Sequence, residues 1–247
     1  MTWHKRSIKS VWVLGSTSDV ARSLCWELAE RGCQRFHLIA RNTIKNENFA
    51  NELEHCFGVV VSRQHTDLLI DANLNNENLY EVGEFDLYLI TAGSLGDAEL
   101  ARVDADEALL ITTANYTGLI RWITSITTSD RLTKQSRLWV FSSVAGDRGR
   151  PSNYHYGAAK AALTTFCEGL LLRCNGKQFA VRIIKAGYIA TPMTSGKVPE
   201  ALSLSPRTVA RYLLRNPNRR GIEYLPFWWL PLMVIVRLLP SFVASKL

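Results

Sequence analysis

The stretch VWVLGSTSDVARSL, Val11 to Leu24, passes in one step from four apolar residues through a glycine-led turn into a helical pattern. An apolar run this short, bounded by a turn, reads as a buried strand over 11–14, and the segment beyond the turn reads as a helix over about 19–31. A strand that turns so tightly into a helix aims backbone N–H groups and the helix N-terminus at one spot, a geometry suited to a pyrophosphate. Gly15, Ser16, Thr17, Ser18, Asp19 and Val20 are therefore candidate nucleotide contacts. Only the first glycine of a three-glycine loop stands here, with Asp19 and Ala21 in the other two places. Read alone, the loop fits an ordinary capped strand–helix turn as well.

Outward from this unit the same alternation repeats. Short apolar runs predict strands at 36–40, 59–65, 86–91, 137–142, 180–185 and 221–225, and amphipathic segments predict helices at about 46–56, 106–128, 154–174 and 205–215. Alternating strands and helices predict an α/β fold: a doubly wound parallel sheet of the Rossmann type, helices on both faces, right-handed crossovers. One domain over 1–221 and an apolar C-terminal extension over 222–247 account for the chain. A length of 247 residues with 47% hydrophobic content supports one such core.

Composition narrows the function classes. The five cysteines, Cys25, Cys33, Cys56, Cys167 and Cys174, are scattered and odd in number, and the five histidines form no ligand cluster. This predicts a reducing compartment and no metal. The run behind the basic N-terminal residues is too short for a signal-peptide core, so a cytoplasmic location is expected. Between 201 and 247, seven basic residues against one acid place +6 of the formal +7 in the tail. That charge comes with no recognisable nucleic-acid module.

Two further features point to a site. The second strand ends in Ala40-Arg41, with a guanidinium rather than the acid that would bind a ribose diol, which favours NADPH over NADH; a solvated loop arginine is the alternative. Tyr156 and Lys160 stand four apart in SNYHYGAAKAAL, on one helix face, where a cation can stabilise a phenolate. A tyrosine and lysine so spaced also occur as a solvated pair. Ser142 and Ser143 at the end of LWVFSS, and the Gly/Pro/Ser/Asn loop before Tyr156, put the pair where α/β sheets bind ligands.

With these pieces in order, the chain resembles the short-chain dehydrogenase/reductase family from residue 8 to about 225: GSTSDVA, Asp67 in HTDL, TAG at 91–93, Asn115, Ser143, Tyr156 with Lys160, and KAGYIATPMT at 185–194. The resemblance implies that Tyr156 protonates a carbonyl oxygen as the nicotinamide delivers hydride. Lys160 would lower the tyrosine pKa and hold the ribose hydroxyls, Ser143 would orient the carbonyl, and Asn115 would anchor a relay water. Ser143 is preferred to Ser142 because it lies thirteen residues before Tyr156, the family spacing. Asp67, with Leu68 beside it, would meet the adenine, Ala92 and Gly93 the adenosine ribose, and Ile189 and Thr191 the carboxamide. Lys185-Ala186 departs from the family's usual Arg-Pro or Asn-Pro before Gly187.

GSTSDVA, ITAGSLGD, SSVAGDRGRPSNYHYGAAKA and the apolar tail together resemble a narrower group, the reductases of decaprenylphosphoryl-2-keto-erythro-pentose. That implies a lipid-linked keto-sugar substrate, a flavin-dependent oxidase as partner, and work at the cytoplasmic membrane face. The tail IEYLPFWWLPLMVIVRLLPSFVASKL is broken by Pro226, Pro231, Pro240, Glu223 and Arg237, so it reads as an interfacial segment rather than a span. Phe227, Trp228 and Trp229 suit a headgroup boundary, and Arg207, Arg211 and Arg215 are expected to face anionic lipid. A tail packed on its own domain or in a homo-oligomer is the structural alternative. A ketoreductase of a soluble acyl thioester or nucleotide sugar, and a non-catalytic partner of an oxidase, are the functional ones.

Overall fold

Seven strands carry the apolar runs: β1 (Ser10–Leu14), β2 (Arg35–Ala40), β3 (Val60–His65), β4 (Leu87–Ile90), β5 (Arg137–Ser143), β6 (Ala180–Ala186) and β7 (Gly221–Leu225). The computed structural model describes residues 7–71, 83–129, 132, 135–174, 179–192 and 202–246. All neighbouring strands pair in parallel, in the order β3-β2-β1-β4-β5-β6-β7. Every residue of β1, β4 and β6 is buried, as expected where helices cover both faces.

Alternation along β1 divides the core in two. Val11 and Val13 join Leu24, Leu28, Phe49 and Leu213 on one face, whereas Trp12 and Leu14 join Trp122, Ile126, Leu138 and Leu163 on the other. The first layer comes from α1 (Asp19–Glu30), α2 (Thr43–Phe57) and α7 (Pro206–Leu213). The second comes from a short α3 (Leu68–Asp71), then α4 (Ala105–Thr112), α5 (Gly118–Thr128) and α6 (Tyr154–Cys174). The strand order reverses between β1 and β4, so the carboxyl ends of these strands open the crevice where such sheets take ligands.

Two expectations change. The helix predicted over 106–128 is split by a π-helical turn, Thr113–Thr117, because one residue more than the α repeat needs is accommodated around buried Asn115. Strand β7 spans Gly221–Leu225, the limits expected for it, and adds the first residues of the C-terminal segment to the sheet edge. Glu223 is no break in an apolar tail but a buried acid, 2.6 Å from the equally buried Arg182.

Past β7 lie α8 (Trp229–Leu238) and α9 (Ser241–Ala244). Trp229 and Met233 on α8 pack against Val144, with Tyr188 and Tyr224 at the edge. The opposite side leaves Phe227, Leu230, Val234, Ile235 and Leu238, together with Phe242, exposed. Among the described residues no helix is long and apolar enough to cross a membrane. Arg207 and Arg211, expected to face lipid, instead pair with Glu27 of α1 at 3.2 and 2.7 Å. Burial alone would push the Glu27 carboxyl up, but hydrogen bonds from Arg211 and Arg207 bring it below the usual carboxylate range.

Candidate active site

The first strand–helix turn is built around Gly15, whose φ of +90° an L side chain rarely adopts. A Cβ there would lie 2.5 Å from the Ala92 nitrogen, so the loop after β1 and the loop after β4 touch backbone to backbone. Within the loop the side chains divide their work. Ser18 caps α1 by accepting from Ala21 N, and Val20 enters the core. The Ser16 hydroxyl is fully buried and donates to Asn46 Oδ1 at 2.6 Å, so it shapes the loop from inside rather than facing a ligand. Gly15, Thr17 and Asp19 remain partly exposed.

Gly93 carries the cradle further. A Cβ on it would come within 2.7 Å of Asn115 Oδ1 and 3.2 Å of Lys160 Nζ. Asn115 itself is fully buried, and its side-chain amide donates to Ser94 O at 2.6 Å and Ile111 O at 2.8 Å. That amide is engaged locally, so the Asn115 side chain fixes the loop after β4.

The two serines at the end of β5 face opposite ways, as alternation requires. Ser142 is buried and bonded to Thr164 Oγ1 at 2.6 Å and Lys160 O at 3.1 Å on α6. Ser143 accepts from Ala145 N at 3.1 Å and shares a hydrogen bond with Tyr156. The choice of Ser143 over Ser142 thus agrees with the geometry. Tyr156 and Lys160 lie on the first turns of α6, with Lys160 Nζ 5.8 Å from the tyrosine ring centroid and 3.2 Å from Phe141 O.

The electrostatics differ from the expectation. Burial pushes the Tyr156 phenol up to about 12 even though the Ser143 hydrogen bond pulls the other way, and burial brings the Lys160 ammonium down to about 8. Burial is the larger influence on both groups, and it keeps the phenol a protonated acid.

The remaining candidates follow the carboxyl ends of β2, β3 and β6. Arg41 stands exposed just past β2, and Asp67 accepts from Leu69 N at 3.0 Å past β3. Leu68 leans on the second core layer. Ile189 forms a parallel bridge with Leu204, close to Thr191 in the chain and ahead of residues 193–201, which lie outside the described set. A groove with glycine at both close approaches, a helix N-terminus at one end and a lysine amine at the other fits a dinucleotide laid across β1 and β4. Among the described residues no group of three His, Cys, Asp or Glu is placed to hold a metal ion.

Sequence reasoning missed the aromatic wall that the tail builds beside the loop after β6. Trp229 lies edge-on to Tyr188 at 5.3 Å and stacks on Trp228 at 4.8 Å. A Cβ on Gly187 would collide with its indole, so that glycine leaves room for a tail residue. The only signal was the tail's own aromatic richness.

A family model described as short chain dehydrogenase matches residues 9–201. An uncharacterized oxidoreductase of Mycobacterium tuberculosis is 31% identical over 241 residues, covering 96% of each chain. A 3-oxoacyl-[acyl-carrier-protein] reductase of Haemophilus influenzae is 25% identical over 194 residues, covering 75% of this chain and 76% of its own. Among solved structures, a short-chain dehydrogenase from Sphingobium yanoikuyae in complex with NADPH superposes with a TM-score of 0.75 at 19% identity, over 89% of this chain and 88% of that one.

Proposed function

The chain belongs to the short-chain dehydrogenase/reductase family of oxidoreductases, and from that premise we propose that it is an NADPH-dependent carbonyl reductase acting on an amphiphilic substrate, a keto-sugar carried on a polyprenyl phosphate. The observation that carries the substrate class is the exposed apolar face of α8, whose other side packs on Val144 next to Ser143. A lipid chain can lie along that face, or in a bilayer beneath it, while its head enters the crevice.

The loop around Gly15, the Gly93 turn and Lys160 would hold the dinucleotide, which when bound would supply hydride chemistry to a carbonyl carbon. The chain supplies the proton and the geometry. Ser143 and Tyr156 aim their hydroxyls at one carbonyl oxygen, and Tyr156, a neutral phenol, donates its proton there as the alcohol forms. The phenolate left behind is stabilised by the Lys160 ammonium, which returns a proton on exchange with solvent. Arg41, exposed just past β2, would hold a 2′-phosphate, the contact expected for NADPH.

The test is NADPH oxidation with detergent-solubilised polyprenylphosphoryl 2-keto-pentose, run beside a 3-oxoacyl thioester. Turnover of the lipid-linked sugar that falls by ~10²–10⁴-fold in Tyr156→Phe, with NADPH binding kept, supports the reading. Turnover of the thioester alone overturns the lipid-linked substrate and leaves a soluble-substrate ketoreductase. Sedimentation with anionic vesicles, lost when Leu230, Ile235 and Leu238 become glutamine, tests the bilayer contact.

A further inference from the structure

Asp147 has no place in the reductase chemistry, yet its side chain is fully buried beside the site. It closes a short 3-10 turn, Val144–Asp147, that starts directly after Ser143. Three elements reach it: Lys185 from the end of β6 forms an ion pair, Tyr224 from β7 donates its phenol at 2.8 Å, and Arg237 from α8 donates at 3.2 Å. Burial, followed by the bond to Asp147, pushes the Tyr224 phenol up, so it stays a donor. Lys185 is the residue that departs from the family pattern, and the pairing with Asp147 gives that departure a structural use.

The turn so held is the one that sets the Ser143 hydroxyl. Ser143 Oγ accepts from Ala145 N inside the turn at 3.1 Å, so the hydroxyl's orientation follows the turn's backbone. On one side the turn lies flush on α6: a Cβ on Gly146 would come within 2.7 Å of the Ala161 nitrogen, one residue past Lys160. On the other side Trp229 and Met233 of α8 pack on Val144, and Arg148 reaches the carbonyls of Arg237 and Leu239. A cavity of about 460 Å³ beside it, lined by Lys185, Tyr224, Glu168 and Arg237, leaves the turn without packed support in that direction.

We propose that Asp147 is a positioning residue for Ser143, and that Arg237 makes the tail helix part of that hold, so that the attachment of α8 sets the reactivity of the site. The inference rests on the reductase reading for its kinetic consequence, not for its structural one. Errors of about 1 Å at a reacting group can cost ~10²-fold in rate, which is the leverage such a hold has.

The experiment uses the full chain with Arg237→Gln and Arg237→Lys. Hydrogen exchange is read at the Ala145 amide in the protein without added ligand. The expected result for Arg237→Gln is exchange about tenfold faster at Ala145, with α1 and β1 amides unchanged. With an accepted ketone, kcat is expected to fall by about tenfold while the NADPH dissociation constant stays the same, and Arg237→Lys is expected to recover both. Unchanged Ala145 exchange in Arg237→Gln overturns the hold. Faster exchange with unaltered kcat overturns the link to Ser143. A uniform rise in exchange across the sheet, or a loss that lysine does not recover, also overturns the proposal by reducing Arg237 to general stability. A failure of the reductase reading shows separately, as absent turnover in the unaltered chain with Ala145 exchange still responding to Arg237→Gln.

Discussion

Lys160 donates to the Phe141 carbonyl at 3.2 Å while its ammonium stands 5.8 Å from the centroid of the Tyr156 ring, so the lysine is anchored to β5 before it serves the tyrosine. Its pKa is lowered by burial to about 8. The charged form therefore prevails below about 8 and is lost above it, and NADPH, an anion, binds the charged form better. The NADPH dissociation constant is expected to rise as pH passes upward through about 8, and Lys160→Met is expected to raise it at low pH and remove the inflection. Fluorescence titration at a series of pH values checks this; an inflection that survives Lys160→Met assigns it to another group.

Ser142→Ala and Ser143→Ala should behave differently although the residues are neighbours. Loss of Ser143 removes a donor from the reacting oxygen and is expected to lower kcat by about 10²-fold or more with little change in melting temperature. Loss of Ser142 breaks bonds to Thr164 and Lys160 O and is expected to cost ~1 kcal/mol of stability, with kcat retained. Denaturant melts and steady-state rates on both variants separate the two, and the reverse pattern would reassign the catalytic hydroxyl.

Gly15→Ala tests the cradle. The residue sits at φ +90°, where an L side chain costs ~1–2 kcal/mol, and its Cβ would also press on Ala92 N at 2.5 Å. The loop must shift, so NADPH affinity is expected to fall by at least tenfold, a change of about 1.4 kcal/mol in binding. Calorimetric titration with NADPH is the measurement, and unaltered affinity would place the dinucleotide elsewhere.

Glu223→Gln is expected to lower stability by ~3–5 kcal/mol, because it leaves the buried Arg182 guanidinium without its carboxylate. Replacing both residues with methionine should recover most of that loss. Urea unfolding midpoints of the single and double variants decide it. A mild effect in the single variant would mean that water reaches Arg182.

The central strands were legible because β1, β4 and β6 are buried throughout and read as apolar runs; β5 and β6 end within a residue or two of their expected limits. Tyr156, Lys160, Ser143 and Asn115 were found through their order along the chain, and the fold brings Ser143, Tyr156 and Lys160 to one mouth. The π-helical turn at Asn115 was hidden, since one extra residue does not disturb an amphipathic pattern enough to show. The clamp on Asp147 joins residues 147, 185, 224 and 237, and no local spacing connects positions so far apart. The direction of the Tyr156 shift depends on desolvation, a property of the packed site and not of the spacing between the two residues.

The basic end of the chain is less of an electrostatic beacon than its composition suggests. Of its seven cations, Arg207 and Arg211 are matched by Glu27, Arg219 by Glu223 and Arg237 by Asp147, and Glu27 and Asp147 are drawn from outside the tail. Each carboxylate is shared, Glu27 among three arginines, Glu223 with Arg182 and Asp147 with Lys185, so the pairs stitch α1, α7, β7 and α8 together while the net charge of the chain stays positive. Those cations are tied to fixed positions on the fold, where salt screens the exposed pairs.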